Sequence, residues 1–100
     1  MTLQFTEWQE GIYINDVDDT ALTGYYRAML TDNEEKENFV YLEPHYIDKR
    51  YVWVVLWKDF QFGKLYAKLH KVQYENEELE LAKQNVDNFL TRVGDLAVFL

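Results

Sequence analysis

The sequence lacks several residue types on which common enzyme chemistries depend. Its 100 residues include no cysteine and no serine, one proline, four glycines and two histidines. The absence of cysteine excludes disulfides, thiol nucleophiles and cysteine-ligated metals, and the absence of serine excludes a Ser-His-Asp triad within one chain. Four glycines leave little room for phosphate-binding loops, and His45 and His70 do not stand at a metal-ligand spacing. We therefore expect a non-enzymatic protein with no cofactor and no metal.

Long hydrophobic runs are also absent. No segment approaches the roughly 20 apolar residues of a membrane helix, and the sequence begins without the basic region and apolar run of a secretory signal. We expect a cytoplasmic location and no membrane contact. Hydrophobic residues make up 48% of the chain and aromatic residues 17%, a composition typical of a folded globular protein. The length predicts a single domain, 1–100.

Acidic residues outnumber basic ones, and the excess is uneven along the chain. The formal net charge is −8, which disfavours general binding to nucleic acid or to an anionic membrane. Residues 1–26, 27–48 and 72–100 carry −5, −4 and −4, whereas residues 49–71 carry +5. One basic segment therefore lies between acidic flanks.

The pattern of hydrophobic residues predicts strands followed by one long helix. Residues 51–57 are seven β-branched, aromatic or leucine residues in a row and form the clearest strand. Residues 65–74 alternate like a returning strand after a turn at 59–63, and a shorter strand is expected to close at Pro44. From 77 to 93 the apolar residues fall at helical spacing, with Asn76 placed to cap the first turn. The predicted fold is α+β: an antiparallel meander of about four to five strands, with the long C-terminal helix packed on one face.

Alternation along the strands assigns side chains to two faces of this sheet. Val52, Val54 and Leu56 are expected beneath the helix, together with Leu65 and Leu69. The opposite face is aromatic and is our predicted interaction face. It comprises Tyr41, Tyr51, Trp53, Trp57 and Tyr66, and alternation places Phe39 on the same side.

An aromatic face of this size is too apolar to stand open to water. The N-terminal residues 1–30 could cover it through Leu3, Phe5 and Trp8, and so could a second copy of the chain or a different partner. The sequence does not decide which of these three segments or partners covers the face.

Residues 15–20 contain the densest group of carboxylates. Counted from Asp16, Ala21 and Arg27 stand where a calcium-binding loop of the EF-hand type requires glycine and glutamate. We interpret this segment, and the charged run 32–38, as solvated turns.

These observations favour a small non-enzymatic domain that binds another protein. The partner can be a second copy of the chain, which would give a homodimer. One alternative is an acidic inhibitor or nucleic-acid mimic, of the phage, immunity or antitoxin kind, that occupies a basic groove by electrostatic complementarity. Another is single-stranded nucleic-acid binding through residues 49–71, with lysines on phosphates and aromatic rings stacked on bases. The acidity of the remaining chain makes nucleic acid an unfavourable partner.

Overall fold

A computed structural model describes residues 4–15, 18–30, 38–58 and 60–97. Within these ranges the backbone forms six strands and two helices. The strands are β1 (Gln4–Phe5), β2 (Gln9–Ile14), β3 (Ala21–Leu30), β4 (Asn38–Ile47), β5 (Arg50–Trp57) and β6 (Gln73–Glu75), and the helices are α1 (Phe60–Leu69) and α2 (Leu79–Ala97).

The strands form one antiparallel sheet whose order follows the chain. β1 and β2 both pair with β3, and β4, β5 and β6 follow in turn. The six strands thus occupy five positions across the sheet. Side chains of α2 pack against one face of it. The predicted α+β class, the meander and the long C-terminal helix are confirmed.

The hairpin of β4 and β5 is longer than the sequence predicted. β4 runs through Pro44 to Ile47, because β3 pairs with β4 only as far as Leu42 and Pro44 lies where one side of the strand has no strand partner. Asp48 and Lys49 connect the two strands with φ angles of 54° and 66°. Two successive left-handed residues are the signature of a type I′ turn, whose twist matches that of the flanking strands.

The segment after β5 is a helix, and the prediction of a turn at 59–63 followed by a strand over 65–74 is wrong. Residues Phe60–Leu69 form α1, and only Gln73–Glu75 pair with β5 as a strand. Phe62 and Tyr66 are one helical turn apart and both pack into the core. Apolar and polar residues also alternate in this segment. Over so short a length the pattern is compatible with a helix and with a strand, and it does not distinguish them.

The two faces of β5 are the reverse of those predicted. Trp53 and Val55 are buried in the cluster that α2 covers, and Trp57 packs against that cluster. Leu56 lies on the other face and is 38% exposed. β5 is apolar on both sides, so alternation alone could not choose between them. The rings go beneath the helices because large aromatic side chains bury the most area there.

The helical stripe of α2 is confirmed by burial. Ala82, Val86, Phe89 and Leu90 are all buried. The helix is preceded by a 3-10 turn at Asn76–Glu78, so the capping position lies at Glu75 rather than Asn76. The backbone N–H of Glu75 donates to the Glu78 side chain at 2.9 Å, which anchors the turn. The buried cluster consists of Val40, Leu42, Trp53, Val55, Tyr66, Tyr74, Ala82, Val86, Phe89 and Leu90.

The described N-terminal residues pack on the helix-covered side of the sheet. Phe5 and Trp8 lie against the buried cluster, and Leu3 lies outside the described residues. The indole Nε1 of Trp8 donates to Asp87 of α2 at 2.9 Å, and the Arg27 guanidinium donates to the same carboxylate oxygen. The described part of residues 1–30 therefore helps to cover the side of the sheet that holds Trp53, Trp57 and Tyr66, three of the predicted aromatic residues, through Phe5 and Trp8.

Two tyrosines form a buried hydrogen-bonded pair in the core. The hydroxyls of Tyr66 and Tyr74 lie 2.9 Å apart, and the Asn85 side chain donates to Tyr74 at 3.1 Å. Burial, and after it the hydrogen bond to Tyr74, raises the pKa of the Tyr66 phenol well above its ordinary value of 10.0. The pair satisfies polar groups that would otherwise be unpaired beneath the helices.

The raised pKa of Tyr66 predicts a loss of stability in alkali. Below pH 10 the phenol is protonated in the folded and the unfolded state, so its stabilising contribution is complete. Above that pH the unfolded state releases the proton first, and stability falls as pH rises. We expect the thermal midpoint to fall more steeply from pH 10 upward in the wild type than in Tyr66→Phe, in which Tyr74 keeps its bond to Asn85. Equal slopes in circular dichroism melts would contradict this assignment.

Candidate functional site

The five residues predicted to form one interaction face do not share a face. Trp53 and Tyr66 are buried and Trp57 packs against the same cluster, all on the helix-covered side. Tyr51 packs instead on Tyr46, with ring centroids 5.1 Å apart. Tyr41, the remaining member, pairs across the sheet with Leu56 on the side away from α2.

The side of the sheet away from α2, here called the open face, carries an aromatic cluster of its own. Tyr26, Phe39 and Tyr41 come from the neighbouring strands β3 and β4. Their ring centroids lie 5.7 to 6.3 Å apart, and all three side chains are half-buried. Alternation along β4 places Phe39 and Tyr41 on one side of the sheet, but it does not identify Tyr26, because the pairing of β3 with β4 is needed to bring Tyr26 there.

Two glycines let tyrosine rings lie flat on the open face. Gly11 and Gly24 oppose each other across β2 and β3. The Tyr13 ring lies over Gly24 so closely that a Cβ there would be 2.1 Å from a ring carbon, whereas a Cβ at Gly11 would be 3.5 Å from the Tyr26 ring. Aromatic rings over strand glycines replace the packing that glycine cannot supply.

Two carboxylates of the open face are paired with basic side chains. Glu43 accepts a hydrogen bond from His45 Nε2 at 2.9 Å, and Glu75 binds the Arg50 guanidinium through two bonds of 2.6 and 2.7 Å. The hydrogen bond from Arg50 holds the pKa of Glu75 below its usual value. The ammonium of Lys58 lies 5.4 Å from the centre of the Phe39 ring.

A cleft opens beside this face where two hairpins diverge. β3 pairs with β4 over residues 38–42, and beyond Leu42 the β2–β3 hairpin and the β4–β5 hairpin separate. The cleft between them has a volume of about 740 Å³. Its lining residues are Tyr13, Ile14, Asn15, Asp18, Leu22, Glu43, Pro44, His45, Tyr46, Ile47 and Tyr51. The Asn15 amide donates to the Tyr51 hydroxyl at 3.4 Å and links the two walls.

Neighbouring groups shift the pKa values of two polar side chains in the cleft, Tyr13 and Asp18. Burial, and after it the nearby Glu43 carboxylate, raises the pKa of Tyr13 to about 12, so its phenol stays protonated at neutral pH. The Asp18 carboxylate accepts a hydrogen bond from the Thr20 backbone at 3.0 Å. Hydrogen bonds from Thr20 lower the pKa of Asp18 and keep it ionised.

The edge strand β2 is a separate candidate contact. Ile12 is 78% exposed and Ile14 57% exposed, and in the described part of the chain β2 pairs only with β3. An exposed apolar edge can add a strand from another chain. Sequence alternation did not identify this edge, because strand order decides which strand is outermost.

The basic segment 49–71 does not form one basic, aromatic surface. Lys49 lies in the β4–β5 turn, whereas Lys64 and Lys68 belong to α1. Trp53 and Tyr66, on which bases would stack, are buried. The described part of this segment thus offers no stacking platform built from these two rings.

The described residues contain no group of three or more histidine or acidic side chains arranged to hold a metal ion. Neither described helix is long and apolar enough to cross a membrane. The acidic run 32–38 lies outside the described residues except for the backbone of Asn38. Comparison with protein-family models, with curated proteins and with solved structures found no match to this chain.

Proposed function

We propose that this chain is a non-enzymatic protein-binding domain of the cytoplasm that pairs with a second copy of itself through the open face. The observation that carries the proposal is the cluster of Tyr26, Phe39 and Tyr41, which lies on the face that α2 leaves uncovered. Aromatic side chains are enriched in interfaces because each buries a large area at a small entropic cost.

The charge distribution supports a second copy as the occupant. The chain carries −8, so two copies repel each other wherever their acidic surfaces meet. On the open face Glu43 and Glu75 are each hydrogen-bonded to a basic side chain, His45 and Arg50 respectively. These pairings reduce the repulsion between two acidic chains that meet there.

Three neighbouring strands form the middle of the open face and carry the aromatic cluster and Leu56. They are β3 and β4, with ten residues each, and β5, with eight, whereas the outer strands β1 and β6 have two and three residues. A two-fold dimer would place the same aromatic cluster on both sides of the contact.

A matched pair of substitutions tests this proposal. Leu56 on the open face and Leu81 on α2 are 38% and 43% exposed, so Leu56→Glu and Leu81→Glu make the same change at comparable exposure. We expect the wild type and Leu81→Glu to sediment as dimers at high micromolar concentration. We expect Leu56→Glu to weaken the dimer at least about tenfold, or 1.4 kcal/mol, because each copy brings a carboxylate into the contact.

Three outcomes of the sedimentation experiment contradict the proposal. The first is a wild type that stays monomeric at high micromolar concentration. The second is a dimer that both leucine variants weaken equally. The third is a dimer that persists in Leu56→Glu but dissociates in Ile12→Glu, which places the contact at the edge strand β2. Native far-UV circular dichroism of each variant separates dissociation from unfolding.

A further inference from the structure

The cleft between the two hairpins has the size of a ligand site. Its volume of about 740 Å³ falls within the roughly 300–1,000 Å³ typical of small-molecule pockets. Its walls come from strands of one sheet, and the bond between Asn15 and Tyr51 joins them. The site is therefore formed within one chain.

The lining residues of this cleft favour a positively charged ligand. The lining residues that the structure describes include two carboxylates, Asp18 and Glu43, one histidine, His45, and no lysine or arginine. Three tyrosines supply aromatic rings, and those of Tyr46 and Tyr51 form a tilted pair. Cations are attracted to the faces of such rings and to carboxylates, whereas an anion would be repelled by both.

Glu43 is the anchor that the geometry favours. Its side chain is 23% exposed, so its charge is less screened by water than that of a fully exposed carboxylate. His45 Nε2 donates to one carboxylate oxygen, Oε2, which orients the group. The apolar side chains of Leu22 and Pro44 line the same cleft and can pack against an aliphatic stem.

We propose that this cleft binds an organic cation, a guanidinium or ammonium group on an apolar stem, with the charged head on Glu43, which lines the cleft together with three tyrosine rings. The same chemistry is offered by a free amine and by an arginine or lysine side chain of a peptide. Rings and a carboxylate together recognise both the charge and the stem.

Calorimetric titration with a charged ligand and its neutral analogue tests the proposal. N-acetyl-arginine amide and N-acetyl-citrulline amide have nearly the same shape, but only the first is charged. We expect the arginine compound to bind at least about tenfold tighter than the citrulline compound. Amide NMR shifts should be largest at residues lining the cleft, such as Glu43 and Tyr51. Equal affinity for the two compounds, or no binding of either, would overturn the proposal.

Two variants with the same charge change provide the control. Glu43→Gln removes the anchor charge and keeps the shape, and it should weaken binding of the arginine compound at least about tenfold. Glu80→Gln removes the charge of a side chain that is 89% exposed on α2 and should leave binding unchanged. If Glu43→Gln binds like the wild type, or both variants weaken binding equally, the specific site is disproved. Circular dichroism melts of both variants establish that they are folded.

Further titrations distinguish the source of the cation. Agmatine represents a free amine, and an unstructured peptide with one internal arginine represents a protein partner. Tighter binding of agmatine indicates a small-molecule site, and tighter binding of the peptide indicates a partner side chain; binding of neither contradicts the proposal. Binding is also expected in Leu56→Glu, so failure of the dimer and failure of the cleft site are distinguishable.

Discussion

Phe89→Ala is expected to lower the free energy of unfolding by about 3–5 kcal/mol, the range for removing a buried phenylalanine. Phe89 is 1% exposed. Its ring meets those of Trp57 and Tyr66 edge to face, with centroids 5.4 and 5.2 Å away. Alanine would leave a cavity between these rings, because α1 and α2 both hold their positions through the same cluster.

Leu56→Ala is the control for the face assignment. The sequence alone predicted that Leu56 and Phe89 meet beneath the helix, in which case the two substitutions would cost similar amounts. Because Leu56 lies on the open face, we expect Leu56→Ala to lower the free energy of unfolding by about 1 kcal/mol or less. Urea unfolding at several dilute protein concentrations measures both without a contribution from self-association. A Leu56→Ala variant as unstable as Phe89→Ala would contradict the face assignment.

Gly24→Ala is expected to destabilise the protein by about 1–3 kcal/mol, the usual effect of overpacking. The new Cβ would lie 2.1 Å from the Tyr13 ring and 2.9 Å from the Leu42 carbonyl oxygen. The ring can move only by leaving its place over the strand, and the carbonyl belongs to the backbone of β4. Displacing Tyr13 would also change one wall of the cleft.

Gly11→Ala is the matched substitution on the opposing strand. The nearest atom to its Cβ would be a Tyr26 ring carbon at 3.5 Å, an ordinary contact distance. Alanine also restricts the unfolded chain more than glycine, so stability should stay within about 1 kcal/mol of the wild type. In a Tyr13→Ala background the cost of Gly24→Ala should fall, since one of the two collisions is removed. Equal thermal midpoints for Gly11→Ala and Gly24→Ala would show that the Tyr13 ring does not lie over Gly24.

The fold class followed from local patterns. The stripe of Ala82, Val86, Phe89 and Leu90 repeats at helical spacing and could face a core only as a helix. The apolar run of β5 was long enough to require a strand with neighbours on both sides. Short connections between consecutive strands then favoured an antiparallel meander, with the helix packed on one face.

The site residues were only partly predictable. Phe39 and Tyr41 were placed on one face by alternation, and both belong to the open face. Trp57 and Tyr66 do lie on one side of the sheet, with ring centroids 5.7 Å apart. That side is the helix-covered core and not a surface, because residues 60–69 form a helix that carries Tyr66 into it. The cleft could not be predicted from spacing at all, because it arises where β3 and β4 stop pairing.

The periodicity of the apolar residues is enough to predict an antiparallel sheet and an amphipathic C-terminal helix, because each pattern repeats with the period of its element. The side of β5 that the helix covers, and the helical state of residues 60–69, follow from packing in three dimensions. A strand with apolar side chains on both sides has no polar face to mark the solvent. That choice depends on which distant side chains, here Phe89 and Tyr66, fill the space against it, and contacts between residues far apart in the chain leave no local pattern.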